Sequence, residues 1–286
     1  MFVKSPAKIN LHLRIGALRP DKYHPLLSWF ITIGLFDTME IRATQTPGIK
    51  LTCDRADIPV DGTNLIIKAA EAMSAETPGG KPGAQIHLQK SIPIGGGLGG
   101  GSSNAAFAMM ALNRLWNLNW PIEKLAPIGL KIGSDVPFFF HGPSSICEGR
   151  GEKVTPTPPP RPGFVVLIFP GFPVSTAEAY RRFDQMNGGT ILSPEPWNHW
   201  AKLAATQLLH HLVNDLEAPA FAICPQLGEL RQNLEGRLGR IVRMSGSGST
   251  LFTLADARDE AQQMVDKMGE MGIKAGVFEL NPRMDD

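Results

Sequence analysis

Six glycines fall within seven positions of this chain, Gly95-Gly96-Gly97-Leu98-Gly99-Gly100-Gly101, introduced by Pro93-Ile94 and followed by Ser102-Ser103-Asn104. Residues without Cβ let successive backbone N–H groups turn toward one point, and a helix beginning there adds partial positive charge, so the segment suits a polyphosphate. The alanine- and methionine-rich stretch Ala105 to Trp116 has helical periodicity, and Ser102 and Ser103 can cap that helix or bond phosphate oxygens. A flexible glycine linker is the bland alternative, but linkers are not normally set between a strand and a patterned helix. Gly95, Gly97 and Gly100 satisfy GxGxxG, yet the tight βα turn and the later acidic residue of a dinucleotide site are missing, and no GxxxxGK[ST] occurs.

Other residues could do chemistry beside such a loop. In Pro6-Ala7-Lys8-Ile9-Asn10-Leu11 the period of two places Lys8 and Asn10 on one strand face, opposite Ile9 and Leu11. From the segment alone, a solvated strand face is the favoured reading. Asp135 sits beside the apolar run Val136 to Phe140, where burial demands a partner. A carboxylate near a lysine and a substrate hydroxyl can accept the hydroxyl proton in phosphoryl transfer; alternatively Ser134 or Asp135 caps a turn at Pro137. Ser245-Gly246-Ser247-Gly248 joins two strand-like segments and could close over phosphates or be a plain β turn. Asp21-Lys22-Tyr23-His24-Pro25 could stack a flat ring and bond its edge, or be a surface turn.

The elements that must position these groups are of both kinds. Strands are predicted near 3–14, 29–43, 84–90, 164–170, 240–244, 251–254 and 274–280, and helices near 63–76, 102–116, 197–213, 226–235 and 256–268. Five prolines in Thr155 to Pro162 mark a boundary, giving an N-terminal domain over 1–156 and a C-terminal domain over 157–286. With 28 Lys and Arg against 27 Asp and Glu, the charge is +1, which lacks the basic footprint of a nucleic-acid binder. Cys53, Cys147 and Cys224 form no disulfide or zinc pattern, so a reducing cytosol is expected. The N-terminal apolar run is too short for a signal peptide and no apolar stretch has spanning length, so a soluble cytoplasmic protein without membrane association is expected.

Taken together, Pro6-Ala7-Lys8-Ile9-Asn10-Leu11, the Pro93 to Ser103 loop and Ser245-Gly246-Ser247-Gly248 resemble the three motifs of the superfamily of galactokinase, homoserine kinase, mevalonate kinase and phosphomevalonate kinase. Tyr23-His24, Asn64-Leu65-Ile66, Gly133-Ser134-Asp135-Val136-Pro137-Phe138, Glu148-Gly149-Arg150-Gly151-Glu152 and Asn214-Asp215-Leu216-Glu217 extend the likeness to the branch that acts on a cytidyl-diphosphate sugar alcohol. The resemblance covers nearly the whole chain. It implies an α+β fold of two domains, one like ribosomal protein S5 domain 2 and one ferredoxin-like, with the active site in the cleft between them.

It also implies ATP-dependent phosphorylation of the substrate's 2-hydroxyl, on the non-mevalonate route to isoprenoid precursors, with Mg²⁺ as cofactor and no dedicated protein metal site. Asp135 would orient and deprotonate the hydroxyl while Lys8 pairs with it and offsets charge on the transferring group. Pro93, Ile94, Gly95, Gly96, Gly97, Leu98, Gly99, Gly100, Gly101, Ser102, Ser103 and Asn64 would hold ATP. Asn10, Tyr23, His24, Tyr180 and Gly246 would hold substrate, the two tyrosines sandwiching cytosine. Lys22 stands where the family has glycine, so a positive φ there would strain it. Gly188 to Trp200 reads as a variable surface or lid. A monomer or weak homodimer is expected. The competing classes are another small-alcohol kinase of the superfamily, an NAD-binding oxidoreductase suggested by GxGxxG, and an RNA-binding module suggested by the S5-like domain.

Overall fold

A computed structural model describes residues 1–77, 82–186, 189 and 192–282. The alternation of Ile9, Leu11 and Leu13 with polar neighbours becomes strand β1 (Phe2–Ile15), antiparallel to the long β2 (Leu26–Thr44). There follow β3 (Ile49–Cys53), helix α1 (Leu65–Glu76), β4 (Gly83–Gln89), α2 (Gly100–Leu115), α3 (Ile122–Ile132), β5 (Ser144–Gly149) and β6 (Lys153–Pro156). Opposite β1, the other edge of β2 is shared, its residues Leu26 to Ile31 pairing β5 and Thr38 to Thr44 pairing β4. β3 adds to β4 in parallel, and β6 completes a hairpin with β5.

The proline run leads into β7 (Phe164–Ile168), then α4 (Thr176–Met186), α5 (Trp197–Trp200), α6 (Ala205–His211), α7 (Glu217–Ile223) and α8 (Pro225–Leu238). After these come β8 (Arg243–Met244), β9 (Leu251–Ala255), α9 (Arg258–Glu270) and β10 (Ala275–Glu279). The four strands form an antiparallel sheet in the order β10-β7-β9-β8. The α+β expectation therefore holds, with two sheets.

Three apolar clusters hold these layers. In the first, Met39, Ile41, Ile86 and Leu88 of the first sheet meet Ile66, Met73, Met109 and Leu112 of α1 and α2. In the second, Ile9, Leu11, Trp29 and Ile31 meet Val165, Leu167, Phe252 and Leu254 of the other sheet, so the two sheets share a core. The third packs Val166, Ile168 and Leu251 under Phe183, Leu234 and Met264. The stretch expected as one helix over 197–213 is instead split into α5 and α6. The physical reason is tertiary: Trp200 turns into the second core, while Asp256 accepts from the Ala205 amide at 3.0 Å and starts a new helix. Trp200 is thus a core residue, which corrects the surface or lid expectation at that position, while 192–199 are exposed or half-buried; residues 187, 188, 190 and 191 lie outside the described residues.

Asp37, in the middle of β2, is fully buried. Lys90 Nζ donates to its Oδ2 at 2.7 Å and Asn104 Nδ2 at 2.9 Å, while the Ser91 and Ile92 amides donate to Oδ1, each at 2.8 Å. A carboxylate out of water needs such complete hydrogen bonding. The bonds tie β2 to the lead-in of the glycine loop and to the first turns of α2. Replacing Asp37 with Asn leaves Lys90 buried beside a neutral group, and should cost about 3 kcal/mol, read as a lowered urea midpoint at unchanged m-value.

His12 is buried among Trp197 and Trp200, with ring centroids 5.5 and 5.4 Å away, and accepts from the Val213 amide at 3.2 Å. Burial, then the charge of Arg14, lowers its imidazole to about 4. Because the unfolded chain binds that proton near pH 6.5, the folded protein should lose about 1.4 kcal/mol per pH unit from this group as pH falls from 6.5 toward 4. Urea midpoints of wild type and His12→Gln across that window test this; the variant's stability should fall less steeply.

Candidate active site

The glycine loop runs from Pro93 to the start of α2 and takes left-handed φ at Gly95, Gly97 and Gly99, of 68°, 75° and 67°. Two of these glycines also answer to close approach. A Cβ on Gly97 would collide with the carbonyl oxygen of Ser245, and one on Gly99 would come 2.9 Å from Lys8 Cε. Gly99 is the N-cap of α2 and makes no side-chain cap bond, so Ser102 and Ser103 lie within the helix's first turns rather than capping it. The amides of that turn are left for a ligand, and the helix dipole favours an anion there. Asn64 caps α1, accepting from the Ile66 amide at 2.9 Å and donating to Pro59 O at 2.7 Å. It stands one residue before Leu65, which packs toward Gly101.

β1 brings the loop and the acid together. The Lys8 amide donates to Leu98 O at 2.9 Å, docking the loop on the strand edge. Lys8 Nζ, nearly buried, lies 3.2 Å from Asp135 Oδ2, donates to Asn10 Oδ1 at 2.6 Å and sits 4.5 Å above the Phe30 ring. Asp135 remains about 30% exposed, so its carboxylate is open to a ligand. Its place is fixed by the turn Pro137–Phe140, whose phenylalanines are buried, each worth about 2 kcal/mol of transfer free energy. Neither Ser134 nor Asp135 caps that turn; Val136 precedes it without a side-chain cap bond. Cys147 lies close by, its thiol pushed up by burial and then by the charge of Asp135.

The late Ser-Gly motif closes the far side. Ser245 Oγ accepts from the Asn10 amide at 3.2 Å and donates to Gly97 O at 3.1 Å, bridging β1 and the loop. Gly246 adopts φ 58°, and a Cβ there would stand 3.2 Å from Asn10 Oδ1. Asn214 holds this motif from behind, donating to Met244 O and Gly246 O, both at 2.8 Å. Ser28, which the sequence did not single out, accepts from Asn10 Nδ2 at 3.0 Å and fixes that side chain. Its segment carried no signal, because Leu27 to Ile33 is buried on both strand faces and shows no polar alternation.

The aromatic turn lies at the mouth of the same site. Lys22 has φ 64°, the left-handed conformation that glycine would take freely and that costs a residue with Cβ about 1 kcal/mol. Tyr23 is about half exposed, and the Arg150 guanidinium carbon lies 3.5 Å from its ring centroid. His24 Nδ1 is 2.8 Å from Gly16 O, its Nε2 is 2.9 Å from Asp184 Oδ1, and its ring packs on Tyr180 and Phe183 at 5.8 and 5.6 Å. Tyr180 is therefore brought to His24, and its phenol is pushed up to about 12 by burial and, less, by Asp135. It stays a hydrogen-bond donor at any physiological pH. Asp184 was not foreseen, since one acid in the charged stretch Arg181 to Gln185 carries no pattern.

Such a site can hold polyphosphate at the loop, place a hydroxyl between it and Asp135, and stack a flat ring beside Tyr23 and Tyr180. Comparison with known proteins points to a family of kinases. The models of the GHMP kinases N terminal domain and the GHMP kinases C terminal domain match residues 64–143 and 199–274. The chain is 37% identical to the 4-diphosphocytidyl-2-C-methyl-D-erythritol kinase of Geobacter sulfurreducens, over 94% of each chain. It is 40% identical to that of Carboxydothermus hydrogenoformans, over 92% of this chain and 91% of the relative. A crystal structure of 4-(cytidine 5'-diphospho)-2C-methyl-D-erythritol kinase superposes with a TM-score of 0.81 at 33% identity, covering 99% of this chain and 100% of the other. Homoserine kinase from Cytophaga hutchinsonii shares the fold, with a TM-score of 0.70 at 17% identity over 99% of this chain and 95% of the other. With its motifs, its two sheets and its near full-length likeness in accord, the chain belongs to the GHMP kinases and, within them, to the 4-diphosphocytidyl-2-C-methyl-D-erythritol kinase family.

Proposed function

We propose that the protein transfers the γ-phosphoryl group of ATP to the 2-hydroxyl of 4-diphosphocytidyl-2-C-methyl-D-erythritol, giving the 2-phosphate and ADP, in non-mevalonate isoprenoid precursor synthesis. The observation that carries this reading is the Lys8 and Asp135 pair, 3.2 Å apart, where β1 meets the glycine loop. Asp135 accepts the hydroxyl proton as the new O–P bond forms; the bond to the β,γ-bridging oxygen breaks and ADP leaves. Lys8 offsets charge on the transferring group, and Asn10, held by Ser28, orients Lys8 and the substrate. The loop from Gly95 to Ser103 holds the phosphates of ATP through its free amides, the Ser103 amide itself being bonded to Gly99 O. Tyr23, His24 and Tyr180 take the cytosine, and Gly246 lies against Asn10 on the substrate side.

Magnesium fits this site as a companion of the nucleotide. Among the described residues, no three His, Cys, Asp or Glu gather to hold a metal ion. Its ligands would be mainly phosphate oxygens and water, with no dedicated carboxylate pair from the protein. The ion would neutralise phosphate charge during transfer. The division into domains over 1–156 and 157–286, a cytoplasmic location, and a monomeric or weakly dimeric state without nucleic-acid partners belong to the same proposal. None of the described helices is long and apolar enough to cross a membrane.

Purified protein with ATP and Mg²⁺ should release ADP with the cytidyl substrate and not with homoserine or mevalonate; turnover on either of those instead would replace the cytosine reading with another small-alcohol kinase. Asp135→Asn should keep the fold and ATP affinity while kcat falls by about 10²- to 10⁴-fold, and near wild-type turnover would remove Asp135 from the mechanism. Lys8→Met should lose turnover comparably, with weaker substrate binding as well, measured by steady-state kinetics and calorimetry.

A further inference from the structure

Between β5 and β6 the tight turn Arg150-Gly151-Glu152 is held on two sides. The Glu152 carboxylate accepts from the amide of Arg150, and Gly151 packs so closely on Ser134 that a Cβ there would lie 2.8 Å from the Ser134 carbonyl oxygen. The turn therefore rests on the residue next to Asp135 and has little freedom to move relative to it. From this platform Arg150 reaches across to Tyr23, with its guanidinium carbon 3.5 Å from the ring centroid.

A guanidinium stacked on an aromatic face spends its π surface and keeps its in-plane N–H donors. Arg150 makes no side-chain hydrogen bond and no ion pair among the described residues, although Asp21 feels its charge and Glu152 shares its turn. Both acids are committed, Asp21 to Arg19 and Glu152 to the turn's own backbone. The Asp21 carboxyl is held low first by its hydrogen bond with Arg19, and least by Arg150. The nearby cations are committed too, Lys8 to Asp135 and Arg19 to Asp21. An anion entering beside Tyr23 would meet Arg150 as a stacked fork of free donors.

We infer that Arg150 is a substrate-recognition residue, which stacks on one face of Tyr23 and offers its N–H edge to the diphosphate of the cytidyl substrate. This rests on the substrate class given under the proposed function and adds what selects it: cytosine is read by the aromatic turn, and the charge that links it to the sugar alcohol is read by Arg150. Tyr23 keeps its second face for the base. Recognition of base and diphosphate is thereby coupled through one ring, so a cytidine lacking phosphates and a diphosphate lacking cytosine each lose half of the contact.

The test compares wild type, Arg150→Ala and Arg150→Lys by calorimetry with cytidine and with 4-diphosphocytidyl-2-C-methyl-D-erythritol, and by kinetics with ATP. Arg150→Ala should raise Kd and KM for the diphosphate substrate about ten- to a hundred-fold, leave cytidine binding and saturated kcat within about threefold, and flatten the salt dependence of substrate binding. Lysine, which keeps the charge without the planar fork, should fall between. Equal weakening of cytidine and of the diphosphate substrate would overturn the inference, because Arg150 would then act only by steadying Tyr23. Unchanged binding of both would overturn it as well. Wild-type protein that neither binds nor phosphorylates the cytidyl substrate would sink the underlying reading and this inference with it, whereas wild-type turnover with an unaffected Arg150→Ala would sink the inference alone.

Discussion

A carboxylate taken out of water costs several kcal/mol unless its lone pairs are filled, and Asp37 fills them with Lys90, Asn104 and two consecutive backbone amides. Those four donors come from β4's exit, the entrance to the glycine loop and the helix after it. The loop is thus clamped at its root before it reaches any ligand. A run of six glycines would otherwise sample many conformations, and ordering each residue costs about 1 kcal/mol or more of backbone entropy. The clamp, the docking of Leu98 on β1 and the wall formed by Ser245 meet that cost in the folded chain, so a nucleotide need not.

The same logic of prior ordering runs through the reacting pair. Lys8 is anchored by Asn10, and Asn10 by Ser28 and Ser245's hold on its amide, while Asp135 is set by three buried phenylalanines that follow it. Each group is therefore presented by packed strand or turn rather than by a free loop. A phosphotransferase does little covalent work of its own, so catalysis depends on such placement.

Much of this was legible in the residues. The glycine run, the alternation of β1 and the apolar neighbourhood of Asp135 carry their meaning locally, and Lys22 announced its own strain by standing at a glycine position. What stayed hidden was decided by distant partners. Asp37 shares the buried strand face of Met39 and Ile41, but its own segment holds no partner for it, and only the fold brings Lys90 and Asn104 to it. The hairpin of β5 and β6 is short, with glycines at its turn, so it shows no clean period of two. Trp200 reads as a surface aromatic until its helix breaks and turns it under the sheets. The local signals named the chemistry, and the long-range ones supplied its rigidity.

The contact between Gly97 and Ser245 has a temporal side. Nearly 150 positions separate the two residues, and their approach forms the outer wall of the phosphate loop. During synthesis the first sheet and its helices can leave the ribosome complete while that wall has yet to be translated. The wall of the nucleotide pocket is thus the last part of that pocket to be synthesised.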